Sequence, residues 1–185
     1  KPAGPPLKMT FAEADAIPDY IEITQPQIFR KDKINLSIQP GYLIRDQLVL
    51  LRLIRDSFPE RPIYLSTGGG HGLGLEPYLI SQGLVRKLVD HPLTDTPVTP
   101  KIAGRFVDVD RSKALWDTVY HAPEAVIKEG DWIDRASVGI PYFYAYTGAI
   151  LAEAMSRRGD ERAVNAILDR VNKISKAARV SSPGT

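Results

Sequence analysis

The chain has 185 residues, of which 43% are hydrophobic and 25% charged, as in a globular protein that can bury a core without covalent staples. The formal net charge of +2 is too small to attract nucleic acid or anionic lipid strongly, so we expect no nucleic-acid partner. The absence of cysteine excludes disulfide frameworks and thiol catalysis, and three histidines far apart in sequence support no metal site. We expect neither a metal nor a cofactor.

The first part of the chain predicts a strand, a helix and a second strand. Residues 1–33 are rich in proline and alanine near their start, and we predict an extended arm with a short helix near "FAEADA" and a short strand at "YIEI". The alternation in residues 34–38 predicts a half-buried strand. Residues 42–58 predict an amphipathic helix that Pro59 stops, and residues 62–66 predict a buried strand. This order predicts a βαβ unit with parallel strands.

The middle of the chain predicts shorter elements. The glycine-rich stretch "STGGGHGLG" precedes residues 75–83, which predict a short helix, and residues 84–89, which predict a strand. After a proline-rich loop, residues 105–110 predict a strand that leads into a helix at 111–120. Asp110 stands where it could cap that helix.

The C-terminal part changes character. From residue 141 to 178 the pattern predicts two helices, with Gly159 ending the first and Asp160 capping the second. The uncharged run at 136–152 is shorter than the roughly 20 residues that a spanning helix needs, so it predicts a buried helix and no transmembrane segment.

The predicted fold class is therefore α/β: a small parallel or mixed sheet containing a βαβ unit, with flanking helices, followed by an αα-hairpin like that of tetratricopeptide repeats. We predict four regions, namely an arm, an α/β domain, a helical hairpin packed on it, and a tail, at residues 1–33, 34–135, 136–180 and 181–185.

The glycine-rich stretch is the first candidate site. Its glycines lack the spacing of a dinucleotide-binding fingerprint, and no Gly-Lys-Ser/Thr ends it as in a P-loop. A turn that needs positive φ and a small-ligand or anion site both remain open. The candidate ligand-binding residues are Gly68, Gly69, Gly70, His71 and Gly72, and no catalytic residue is assigned.

Aromatic residues form the second candidate site. On a helix, Tyr142 and Tyr146 lie on one face, which fits core packing or a partner interface. The candidate interface residues are Tyr142, Tyr144, Tyr146 and Trp132. Asp108 and Asp110, two residues apart, could bind a cation or serve as acid and base, but a capping role for Asp110 is favoured.

Four stretches carry a resemblance to a known family: "RPIYLS", "LGLEPYLISQGLVRKLV", "VDVDRSKALW" and "AEAMSRRGDERAVNAILDRV". Over about residues 34–170 the chain resembles the soluble C-terminal region of a family of bacterial multi-pass membrane proteins. That family has no assigned function and is related to protein O-mannosyltransferases of the GT-C type. The resemblance implies an extracytoplasmic, periplasmic place, on or beside a membrane protein. Nothing in this chain matches the membrane-embedded catalytic part of such enzymes, so the resemblance transfers no catalytic residue.

The leading hypothesis is a non-catalytic extracytoplasmic interaction domain, or accessory subunit, docked on a larger membrane-protein complex. The sequence does not distinguish a glycosyltransferase from an energy-converting assembly as that complex. One alternative is the acceptor- or sugar-recognition domain of a GT-C-like glycosyltransferase. Another is a small-ligand binder that uses the glycine loop.

Overall fold

In a computed structural model, the protein is described at residues 4–66, 72–131 and 134–180. Helix accounts for 44% and strand for 20% of the described residues, which confirms the α/β class. The described elements in chain order are α1 (Phe11–Asp15), β1 (Tyr20–Ile23), β2 (Gln27–Lys31), β3 (Ile34–Ile38), β4 (Gly41–Ile44), α2 (Arg45–Ser57), β5 (Tyr64–Ser66), β6 (Leu79–Gln82), β7 (Val85–Leu88), β8 (Lys101–Ile102), β9 (Arg105–Val107), α3 (Val109–Thr118), α4 (Ala122–Glu129), α5 (Gly139–Ser156) and α6 (Glu161–Ala178).

Residues 20–44 fold back on themselves as one long hairpin. β1 pairs antiparallel with β4, and β2 pairs antiparallel with β3. Pro26 and Pro40 fall between the two paired regions, where a residue without a backbone N–H cannot extend the ladder. The hairpin closes through Asp32 and Lys33, and Asp32 has a φ of 52°. From Tyr20 onward the predicted arm is therefore part of this hairpin.

This hairpin corrects the predicted βαβ unit. β3 pairs with its sequence neighbour β2, whereas β5 belongs to a separate five-stranded sheet of order β5-β7-β6-β9-β8. β3 and β5 are therefore not parallel partners around α2. The larger sheet is mixed, because β6 and β9 run parallel while β8 and β9 run antiparallel.

One predicted helix boundary and one predicted short helix are also wrong. Residues 42–44 are part of β4, so Leu43 belongs to the strand and α2 begins only at Arg45. Residues 75–83 form a short 3₁₀ turn at Glu76–Tyr78 followed by β6. Short apolar runs fit either a buried helix or a buried strand, and here pairing of β6 with β9 selects the strand.

The chain divides into two compact units, Lys1–Leu79 with Lys87–Leu93, and Ile80–Arg86 with Thr94–Thr185. The predicted region boundaries at residues 33 and 135 stay predictions. The core of the first unit contains apolar residues of the hairpin, of α2 and of the segment around β6, among them Phe29, Ile34, Leu36, Ile54, Leu75 and Leu79.

The second unit contains the predicted C-terminal helical pair, which is confirmed as α5 and α6. Asp160 caps α6 by accepting a hydrogen bond from the Ala163 amide at 3.1 Å, and Gly159 adopts a φ of 77°. The buried residues of the pair pack around Trp116 of α3. Among the described helices, none is long and apolar enough to cross a bilayer.

Candidate functional site

The predicted ligand loop falls mostly outside the described residues, because Gly68, Gly69, Gly70 and His71 lie within 67–71. Gly72 is described and has a φ of 80°, a conformation that residues with a side chain rarely adopt. A Cβ at Gly72 would also lie 3.1 Å from Nε2 of Gln47. Gly72 therefore has a backbone reason to be glycine, and ligand binding by the loop stays a prediction.

Tyr142 and Tyr146 lie on one face of α5, as the spacing predicts. Their rings stack with centroids 6.3 Å apart and an interplanar angle of 14°. The guanidinium of Arg105 lies 5.5 Å from the centroid of the Tyr146 ring, while Tyr142 is 44% exposed. This stack leaves an aromatic surface available on the second unit.

Tyr144 differs from its two neighbours because it packs inward. Its ring meets Trp116 and Tyr120 edge to face, with centroids 6.1 and 5.5 Å away. Burial raises the pKa of the Tyr144 hydroxyl, and the neighbouring Tyr120 raises it further. These contacts give Tyr144 a role in internal packing. Trp132, the remaining predicted interface residue, lies outside the described residues.

Asp108 and Asp110 have separate structural roles. Asp108, rather than Asp110 as predicted, caps α3, because its Oδ1 accepts from the Arg111 amide at 3.0 Å. Its other carboxylate oxygen accepts from Nε2 of Gln82 at 2.8 Å. Asp110 sits in the first turn of α3 and pairs with Arg158 at 2.5 Å. Asp108 therefore caps a helix, and Asp110 forms an ion pair.

His91 has a carboxylate neighbour in Asp90, with 2.7 Å between Nδ1 and Oδ1. The hydrogen bond with His91 is the main reason why the pKa of the Asp90 carboxyl lies below its usual range. Both side chains are on the surface. Within the described ranges, no group of three or more His, Cys, Asp or Glu side chains is placed to hold a metal ion.

The outer face of the hairpin carries exposed side chains that the sequence alone did not indicate. In the β1–β4 register, Tyr20 faces Ile44 and Glu22 faces Tyr42. The exposed fractions of Tyr20, Tyr42 and Ile44 are 62%, 64% and 52%. The two tyrosine rings meet edge to face with centroids 5.5 Å apart. We call this surface, formed by Tyr20, Tyr42 and Ile44, the tyrosine face.

The opposite face of the same hairpin borders a cleft of about 650 Å³ within the first unit. Its apolar lining comes from both strand pairs of the hairpin and from α2, and it includes Ile21, Phe29, Ile38, Leu43, Leu48 and Leu51. Arg30 of β2 and Arg55 of α2 contribute the charged groups. The Arg55 guanidinium lies 5.8 Å from the centroid of the Phe29 ring. We call this cleft the arginine cleft.

Comparison with known proteins identifies no relative. No protein-family model, no curated protein and no solved structure matches the chain.

Proposed function

We propose that this chain is a non-catalytic interaction domain that docks on a membrane-protein complex at its extracytoplasmic side. The observation that carries the proposal is the tyrosine face, where two aromatic rings and an isoleucine are more than half exposed on a regular strand pair. Aromatic side chains are enriched at protein interfaces because they bury a large area at little cost in conformational entropy.

The composition of the tyrosine face fits a protein partner. Each tyrosine offers an apolar ring and a hydroxyl that can remain hydrogen-bonded at an interface. Glu22 lies on the same face, opposite Tyr42 and two residues from Tyr20, and its carboxylate would favour a partner that supplies a cation or hydrogen-bond donors. The inward-facing residues Ile21 and Leu43 pack into the core and hold β1 and β4 in place, so the outer side chains stand on an anchored strand pair.

The place beside a membrane rests on the family resemblance in residues 61–66, 73–89, 107–116 and 152–171. That resemblance remains an expectation, and the choice between a glycosyltransferase and an energy-converting complex stays open. The stack of Tyr142 and Tyr146 offers a further aromatic surface to the same complex.

Site-specific photo-crosslinking in the native host tests the docking surface. A photoreactive phenylalanine analogue replaces Tyr20 or Tyr42 in the full-length protein, and Phe11 receives it as the control. Phe11 is 95% exposed and lies outside the tyrosine face, so it reports random collision. We expect one discrete product, in the membrane fraction, from the two tyrosine positions alone. Equal labelling from Phe11, or no product from any position, would contradict the proposal.

Location is tested separately with cysteine labelling. Because these 185 residues contain no cysteine, a Glu129→Cys substitution gives a single thiol on an exposed residue of α4. A membrane-impermeant maleimide added to intact cells should label it as fully as it labels permeabilised cells. Labelling only after permeabilisation would place the domain on the cytoplasmic side.

A further inference from the structure

The arginine cleft combines an apolar floor with two cationic groups, and no carboxylate belongs to its lining. From this combination we propose that the cleft binds an anionic amphiphile, that is, an alkyl chain ended by a carboxylate or phosphate group. The proposal is independent of the proposed docking function, because none of the three residues of the tyrosine face lines the cleft.

The floor of the cleft suits an alkyl chain. Phe29, Ile38, Leu43 and Leu51 keep between 6% and 8% of their surface exposed, and all four line the cleft. Ile21 and Leu48 are only partly buried and continue the same surface. The volume of about 650 Å³ lies in the usual range for small-ligand sites, which is roughly 300–1,000 Å³.

The two arginines suit an anionic head group. Within the described residues, neither Arg30 nor Arg55 forms an ion pair, so no carboxylate within ion-pairing distance neutralises these two exposed guanidinium groups. A guanidinium presents a planar set of N–H donors that matches a carboxylate or phosphate in bidentate fashion. The contact with the Phe29 ring limits the movement of the Arg55 guanidinium in the absence of a ligand.

The charge pattern also decides against other ligand classes. A cationic amphiphile would meet two positive charges without a neutralising carboxylate, and a neutral one would leave the guanidinium groups unused. An inorganic anion would use the arginines but leave the apolar floor in contact with water. An acidic peptide would bring polar backbone groups against that floor, and burying them unpaired is costly.

A displacement assay tests the proposal on the purified protein. A dansylated undecanoate is the fluorescent probe, and it is displaced by ligands that share one alkyl chain and are kept below their micelle concentrations. Dodecanoate and dodecyl phosphate should displace it at least roughly ten-fold more tightly than dodecyl maltoside, since a charged hydrogen bond contributes about one such factor. Dodecyltrimethylammonium, inorganic phosphate and a capped glutamate peptide should not displace it.

Variants then assign the binding to the cleft. Arg30→Gln and Arg55→Gln should each weaken dodecanoate roughly ten-fold and leave dodecyl maltoside unchanged. Arg111→Gln, which removes one exposed arginine from α3, is the matched control and should bind as the wild type does. Leu48→Trp should fill the cleft and abolish displacement by every ligand. If Leu48→Trp fails to fold, as judged by circular dichroism, the two arginine variants still decide the question.

Vesicles distinguish the two natural sources of such an amphiphile. If the protein binds monomeric dodecanoate but does not sediment with phosphatidylcholine vesicles that contain phosphatidylglycerol, the ligand is a free amphiphile. If the protein sediments with those vesicles but not with phosphatidylcholine alone, and if this needs Arg30 and Arg55, the ligand is a lipid of the bilayer. The proposal is overturned if dodecyl maltoside or inorganic phosphate competes as well as dodecanoate does. It is also overturned if Arg30→Gln and Arg55→Gln both bind like Arg111→Gln.

Discussion

Gly148 of α5 lies directly against the indole of Trp116. A Cβ placed on Gly148 would stand 2.9 Å from Cζ2 of Trp116 and 2.5 Å from Cγ2 of Val171. The helical pair is therefore packed at this point to a spacing that only glycine permits.

We predict that Gly148→Ala destabilises the protein despite the better helix propensity of alanine. The added methyl group overpacks the core, at a cost of about 1–3 kcal/mol, against a propensity gain of roughly 1 kcal/mol. Gly139→Ala is the control, because a Cβ there meets no atom within 4 Å. Urea unfolding should show a lower midpoint for Gly148→Ala alone. Equal midpoints for the two variants would show that the helices can separate at no cost.

The start of α3 supplies a second prediction, which concerns two neighbouring aspartates. Asp108→Ala removes a helix cap and the hydrogen bond from Gln82, so it should lower the free energy of unfolding by about 1–2 kcal/mol. Asp110→Ala breaks a pair in which the aspartate side chain is 79% exposed, so we expect about 0–1 kcal/mol. Chemical denaturation of both variants checks the order. A larger loss for Asp110→Ala would restore Asp110 as the principal residue of this turn.

The segment before α1 is held on α2 through backbone contacts. The Lys8 amide donates to Asp56 at 2.9 Å, and Arg52 donates to the Lys8 carbonyl at 2.9 Å. Arg52 also donates to the Asp56 carboxylate at 2.8 Å. Burial raises the pKa of the Asp56 carboxyl, but the hydrogen bonds from Arg52 and Lys8 outweigh it, so the pKa lies below its ordinary value.

The direction of this pKa shift gives a pH-dependent prediction. A carboxyl with a lowered pKa in the folded state stabilises that state above its unfolded pKa of about 3.9, and this stability is lost as the pH falls through the folded pKa. Asp56→Asn should therefore lower the stability at pH 7 and flatten its decline below about pH 4. Asp169→Asn, which removes a surface pair with Lys173, is the control. Parallel acid profiles for Asp56→Asn and the wild type would contradict the prediction.

Local periodicity was sufficient for part of this fold. The i, i+4 spacing placed Tyr142 and Tyr146 on one face, and the Gly159–Asp160 pair located the break between α5 and α6. These features depend on residues within one or two turns of each other, so their physical cause lies inside a short window of sequence.

Long-range pairing accounts for the errors. Tyr42 fits the apolar stripe of a helix as well as a strand, and only its pairing with Glu22 selects β4. The loop of Asp32 and Lys33 lacks the Asn-Gly or Asp-Gly signature of a two-residue turn, so the hairpin gave no local signal. The tyrosine face and the arginine cleft arise from this hairpin, and neither could be predicted before it was known. Alternation in "YIEI" was the one available signal, because it places Tyr20 and Glu22 on the same side.

The tyrosine face also makes a prediction for affinity. A Tyr20→Ser and Tyr42→Ser double variant should keep its fold, since both side chains are more than 60% exposed, and should lose co-purification with the crosslinked partner. Loss of an aromatic interface anchor costs about 2 kcal/mol or more, which is roughly a thirty-fold weaker complex for each tyrosine. Phe11→Ser is the matched control. Retention of the partner by the double variant would place the docking surface elsewhere.

Photo-crosslinking from Tyr20 in the native host tests most directly whether this chain is a docking domain. We expect one discrete product with a membrane-embedded protein, absent when the photoreactive residue stands at Phe11. No product from Tyr20, or the same product from Phe11, would contradict it.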